Sequence, residues 1–144
     1  MRTLTHHIVV GVDGSPPSRT ALTWAAAEAA DHGADLVVLN VWEHTLPPPA
    51  GSVSVSERYV PDESQRTAED LVELIKEVLG EDPEVLVQPR VKQGNPAKVL
   101  IEQSEDADLL VVGTRGHGGF RGLVLGSVSQ HVAGYAKCPV AVVR

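Results

Sequence analysis

The sequence predicts an α/β fold in which a five-stranded parallel sheet is doubly wound, with helices on both faces. Short apolar runs recur along the 144 residues, each bounded by Gly, Pro, Asn or Asp, and the intervals between them carry helical spacing. Hydrophobic residues make up 42% of the chain and aromatics only 3%, so the core is aliphatic, which suits closely packed strands and helices. A chain of this length is expected to form one domain, residues 1–144, whose core needs no disulfide or metal.

Each element has a local reason. Residues 8–13, IVVGVD, are too short a run for a helix and stop at the turn signal DGSPPS, so they read as a buried first strand. Ser15 then stands as an N-cap with Pro16 in the first turn, and Leu22, Ala25, Ala26, Ala29 and Ala30 share one helical face until Gly33. Residues 35–42, DLVVLNVW, form the second strand. Residues 43–61 are rich in Pro and Ser and lack helical spacing, a connection of the kind that serves as a lid or stays mobile. Ala68, Leu71, Val72, Ile75 and Leu79 mark a second helix closed by Gly80. A third strand is expected at 84–91, its Pro89 placing it at a sheet edge or bulge. Asn95 and Pro96 open a third helix with Ala97, Leu100 and Ile101 on one face; a fourth strand follows at 107–114. A last helix at 127–136 and a strand at 139–144 complete the pattern.

Composition excludes some functions. Twelve Lys and Arg against nineteen Asp and Glu give a formal charge of −7, which disfavours nucleic-acid partners. The single Cys138 can close no internal disulfide and reads as a small hydrophobe in a reducing compartment. No signal-like apolar run follows MRTLTHH, and no run approaches the roughly 20 residues of a membrane span, so a cytoplasmic location away from membranes is expected. His6 and His7 are expected at a frayed terminus, and Trp24 and Trp42 as packing residues.

In open α/β sheets ligands sit beyond the C-terminal ends of the strands, where the strand order reverses. The first and fourth strands end in VDGS and GTRGHGG. No glycine precedes a lysine, so GxxxxGK[ST] is absent, and GxGxxG is absent too. What stands there is Gly113, Gly116, then Gly126 and Ser127, a GxxGx(9)G[ST] spacing. Glycines at a strand end let backbone N–H groups approach a phosphate, and Ser127 adds a hydroxyl at a helix N-terminus.

On this spacing, and on IVVGVDGSPPSRTALTWA, DLLVVGTRGHGG and GSVSQHVAGYAKCPVAVV, nearly the whole chain resembles the universal stress protein family, in particular its ATP-binding branch. The resemblance implies a strand order of 3-2-1-4-5, which sets the first and fourth strands side by side. It implies that Gly11, Val12 and Asp13 lie against an adenine nucleotide and that Val41 offers backbone groups to the adenine. Asp13 would orient Mg²⁺ or a ribose hydroxyl. Gly113, Thr114, Arg115, Gly116, His117, Gly118 and Gly119 would wrap the ribose and phosphates, with Arg121 a further charge partner. Gly126, Ser127 and Val128 would complete the phosphate cradle. The family also implies a homodimer through the C-terminal strand.

Phosphoryl transfer needs a group to neutralise developing charge and another to position the nucleophile. The sequence has no Walker lysine and no evident base, so the expected role is a nucleotide-dependent regulatory module in stress response, with at most slow ATP hydrolysis through Asp13, Mg²⁺ and His117. The alternative is an adenylating enzyme of the related adenosine-nucleotide α/β group. Its SGGxDS signature is not matched by GVDGSPPS. A phospho-acceptor receiver domain would need an acid at the end of the third strand, where VLVQPRVKQG has none.

Overall fold

A computed structural model describes residues 6–43, 63–114 and 126–144. The irregular connection expected at 43–61 lies, apart from Glu43, outside them. The elements in chain order are β1 (His7–Gly11), α1 (Pro16–His32), β2 (Asp35–Trp42), α2 (Glu63–Leu79), β3 (Val87–Gln93), α3 (Pro96–Ser104), β4 (Leu109–Gly113), α4 (Ser127–Tyr135) and β5 (Val140–Val143). All five strands pair in parallel in the order β3-β2-β1-β4-β5, as the resemblance implied. Among the described residues no helix is long and apolar enough to cross a membrane.

The two-residue period of a strand divides the core. Ile8 and Val10 of β1, with Leu36 and Val38 of β2, face Leu22, Ala25 and Ala29 of α1 and Leu71 and Ile75 of α2. Val9, Val37, Leu39, Leu110 and Val112 face the other way, onto Val99 and Leu100 of α3 and Val132 of α4. Apolar residues on both faces explain why these strands read as unbroken hydrophobic runs.

β3 is an edge strand, and Pro89 sits in it opposite Val38, where its missing N–H does least harm to the ladder. The strand lies at 87–93 rather than 84–91, because its register runs along β2 from Leu36↔Val87 to Trp42↔Gln93. Leu86, which the sequence places inside the strand, is 62% exposed.

The helix ends follow their signals with one exception. Gly33 takes φ 62°, left-handed backbone that glycine adopts without strain, and its N–H bonds the Ala29 carbonyl. The Asn95 side chain accepts a hydrogen bond from the Lys98 N–H at 3.1 Å. Ser15 holds the cap position of α1, but its side chain makes no capping bond. It turns instead to Asp13.

Burial corrects other expectations. α2 runs from Glu63, and among its described side chains Leu71, Leu74 and Ile75 are buried, while Val72, expected on the apolar face, is 40% exposed. In α1, Ala21 and Ser18 are buried and Ala30 is not. Trp24 is 37% exposed, so it packs only in part. His6 and His7 are tied down: the His7 N–H donates to Asp108 at 2.7 Å, and Asp35 donates to the His6 carbonyl at 2.9 Å.

Asn95→Ala removes the one side-chain acceptor at the start of α3. It is expected to lower stability by about 1 kcal/mol, measured by urea unfolding with an unchanged m-value.

Candidate functional site

The C-terminal ends of the strands, and the helix N-termini that follow them, meet at one end of the sheet. β1 lies between β2 and β4, so the chain leaves β1 for α1 on one face and leaves β4 for α4 on the other. Between these departures opens a cleft of about 360 Å³. Six of the residues singled out from the sequence line it: Gly11, Val12, Asp13, Val41, Gly113 and Val128.

The turn after β1 presents its acid by a local network. The Asp13 carboxylate accepts hydrogen bonds from the Ser15 N–H at 2.9 Å and from the Ser15 hydroxyl. Buried Ser18 donates to the Ser15 carbonyl at 2.9 Å and accepts from the Asp13 N–H at 3.3 Å. Gly14, at φ 83°, supplies the left-handed residue this turn requires. Asn40 of β2 donates to the Val12 carbonyl at 3.0 Å, which fixes the turn to the neighbouring strand. Asp13 therefore serves as a turn residue and still stands exposed at the cleft.

β2 outlasts β1 at this end. The Val12 N–H bonds the Leu39 carbonyl and the Gly94 N–H bonds the Trp42 carbonyl, so along β2 odd-numbered residues turn their backbone groups toward β1 and even-numbered ones toward β3. Val41 thus points its N–H and C=O to the β1 side at a level where β1 has ended. A planar heterocycle could meet a donor and an acceptor there.

Across the cleft, Thr114 and Gly126 draw together. The Gly126 N–H donates to the Thr114 carbonyl, and the Thr114 N–H donates to Val143 of β5. α4 starts immediately afterwards, and its first-turn N–H groups have no partner within the helix. Ser129 is buried and donates to the Gly113 carbonyl, binding α4 to the end of β4. Thr114, Gly126 and Ser127 are not among the lining residues. Arg115, Gly116, His117, Gly118, Gly119 and Arg121 lie outside the described residues.

Sequence reasoning missed Ser18, Leu39, Glu43, Pro96, Leu100, Val112 and Ser129, all of which line the cleft. Leu39, Leu100 and Val112 carry the signature of core residues, and nothing in a hydrophobic pattern marks which core residue ends under a cleft. Glu43 had a signal: it is the acid immediately following β2.

Two of the glycines have packing reasons. A Cβ at Gly113 would stand 2.9 Å from the backbone C and O of Pro17, and one at Gly11 would stand 2.9 Å from Leu100 Cδ2. The charged side chains on the described lining are Asp13 and Glu43, both acids. Among the described residues no group of three His, Cys, Asp or Glu could hold a metal ion. Asp13 offers one carboxylate, which suits Mg²⁺ only where phosphate oxygens and water fill the other positions.

Cys138 lies away from the cleft, among residues packed against the α3/α4 side of the sheet. Burial, and then the negative charge of Asp108, raise its thiol pKa above the ordinary value, against a smaller lowering by a backbone hydrogen bond at Leu110. That is the setting of an unreactive thiol.

A parallel sheet with a cleft where its winding reverses marks an open, doubly wound α/β domain. The chain belongs to the universal stress protein family, whose sequence profile matches residues 5–144. A universal stress protein from Mycolicibacterium smegmatis is 40% identical over 141 residues, covering 95% of this chain and 45% of that protein. The chain spans about half the length of the curated relatives it matches. Among solved structures, universal stress protein UspA from Lactobacillus plantarum superposes with a TM-score of 0.79 at 25% identity, covering 99% of this chain and 100% of that one. A universal stress protein in complex with cAMP superposes with a TM-score of 0.71 at 26% identity, covering 99% and 98%.

The two glycine contacts predict unequal costs. Gly113→Ala presses on Pro17 backbone and is expected to destabilise by about 1–3 kcal/mol. Gly11→Ala meets only the end of a leucine side chain that can rotate, and costs less. Paired denaturant melts of the two variants measure the difference.

Proposed function

We propose that this domain binds an adenine nucleotide, with ATP as the reference ligand, and acts as a nucleotide-dependent regulatory module in stress response. The observation that carries this reading is the cleft itself, which offers apolar surface and Val41 backbone groups at its β2 side and the N-terminus of α4 at its β4 side. A base fits the first and a phosphate the second. The relative in complex with cAMP supports an adenine ligand.

In this reading Gly11, Val12 and Asp13 lie under the nucleotide, and Gly113 with Arg115–Gly119 wraps its ribose and phosphates. Gly126, Ser127 and Val128 complete the cradle. Gly126 has φ −72°, which any residue can adopt, so backbone conformation does not require a glycine there. Mg²⁺ would enter with the phosphates and be held by Asp13, supplying neutralisation of phosphate charge. Any ATP hydrolysis, through Asp13, Mg²⁺ and His117, is expected to be slow, because the sequence has no Walker lysine. A cytoplasmic setting suits a protein with one thiol.

β5 is the second edge of the sheet, and all four of its residues are half-buried. Leu110 and Thr114 donate to the carbonyls of Pro139 and Val143, so Val140 and Val142 aim their backbone groups away from β4. An apolar edge of this kind invites another strand, and a second copy of this chain is the proposed occupant.

Three outcomes are expected. ATP at about 100 times its Kd adds roughly 2.7 kcal/mol, a rise in Tm on the order of 5 to 10 °C; no shift with ATP, ADP, AMP or cAMP would refute the reading. Gly126→Val is expected to abolish that shift, with a modest fall in the unliganded Tm because valine is a poor N-cap for α4. Val142→Pro deletes an outward N–H without touching the β4 ladder, and light scattering should report monomer where the parent chain is a dimer.

A further inference from the structure

We propose that Glu43 receives the ribose 2′- and 3′-hydroxyls of the bound nucleotide, and so selects ribonucleotides over sugars that lack the diol. The inference rests on the adenine-nucleotide reading above and adds a residue and a specificity to it.

The described lining of the cleft has two carboxylates to assign, Asp13 and Glu43. Asp13 commits its Oδ1 to the turn, where it accepts both the N–H and the hydroxyl of Ser15, and in the reading above its carboxylate also holds the Mg²⁺ that enters with the phosphates. Glu43 follows the last residue of β2 and lies two positions beyond Val41, at the base side of the cleft. An ionised carboxylate only accepts hydrogen bonds, and its two oxygens match the spacing of two vicinal hydroxyl donors.

Charge decides which part of the ligand Glu43 can meet. Phosphate oxygens are anionic acceptors, so a carboxylate repels them, and they are drawn to the N-terminus of α4 across the cleft. Leu39, Pro96 and Leu100 give the base side apolar surface, which takes the heterocycle. The sugar joins base and phosphate and carries the two neutral O–H donors, so it is the part for which an acceptor-only group is suited. Dinucleotide-binding α/β sheets use the same chemistry, with an acid downstream of the first turn bonded to a ribose hydroxyl. The same carboxylate would oppose a phosphate ester on the 2′ or 3′ oxygen.

The test is a set of Kd values for ATP, 2′,3′-dideoxy-ATP and ITP on the parent chain, Glu43→Ala and Glu43→Gln. The parent should bind ATP about tenfold tighter than the dideoxy analogue, the scale of one charge-assisted hydrogen bond at an exposed site. Glu43→Ala should bring that ratio close to one by weakening ATP, with the ATP to ITP ratio unchanged. Glu43→Gln, which keeps one acceptor oxygen, should fall between them. Because Glu43 is exposed beyond the end of a strand, all three proteins should melt alike without ligand. Equal weakening of ATP and dideoxy-ATP by Glu43→Ala overturns the assignment, and so does a change in the ATP to ITP ratio, which would make Glu43 a reader of the base. Failure of the parent chain to bind ATP at all is a separate result that removes the underlying reading.

Discussion

β1 is five residues long and holds both β2 and β4 in parallel register. Its central place fixes where the winding of the chain reverses. With β2 on one side and β4 on the other, the loops that leave β1 and β4 diverge onto opposite faces, and a cleft must open above the strand ends. His7↔Asp35 and Ile8↔Leu109 set the registers, and a slip of one residue would send Val9 to the wrong face and empty both halves of the core.

The cleft is therefore a consequence of topology, and its chemistry comes from how each loop satisfies its own backbone. Asp13, Ser15 and Ser18 form a closed set of hydrogen bonds that positions an acid at the mouth of the cleft without help from a ligand. On the far side Ser129 and Gly126 hold α4 against the end of β4 through the carbonyls of Gly113 and Thr114. The described parts of both walls are thus held by bonds within the protein itself, which limits the ordering cost of binding at those parts. Packing also explains part of the glycine pattern. Gly113 and Gly11 admit Pro17 and Leu100 at distances a side chain would forbid, so these glycines serve the fold as well as the space above it.

What could be read from the sequence had local causes. The second strand at 35–42 was legible because its apolar run is bounded on both sides, and α1 because Pro16 and Gly33 mark its ends. α3 was legible from Asn95 and Pro96. The reading failed where a competing partner or a distant contact decided the outcome. Ser15 looked like a cap, yet the nearby Asp13 carboxylate competes successfully for its hydroxyl. β3 was displaced because its limits are set by pairing with β2, a contact no window of sequence contains.

The sequence by itself determined the α/β class, the order of strands and helices, the turn acid Asp13 and the glycine spacing that begins at Gly113, because turn chemistry, helical period and motif spacing are properties of neighbours in the chain; Gly11, Val12, Val41 and Val128 were candidates through the family resemblance alone. Tertiary structure decided which apolar residues become cleft floor, that Ser129 ties α4 to β4, that Glu43 joins Asp13 on one lining, and that Val41 turns its backbone toward the space left where β1 stops. Those features depend on which strand lies beside which and where each one ends, and such distances exist only once the sheet has formed.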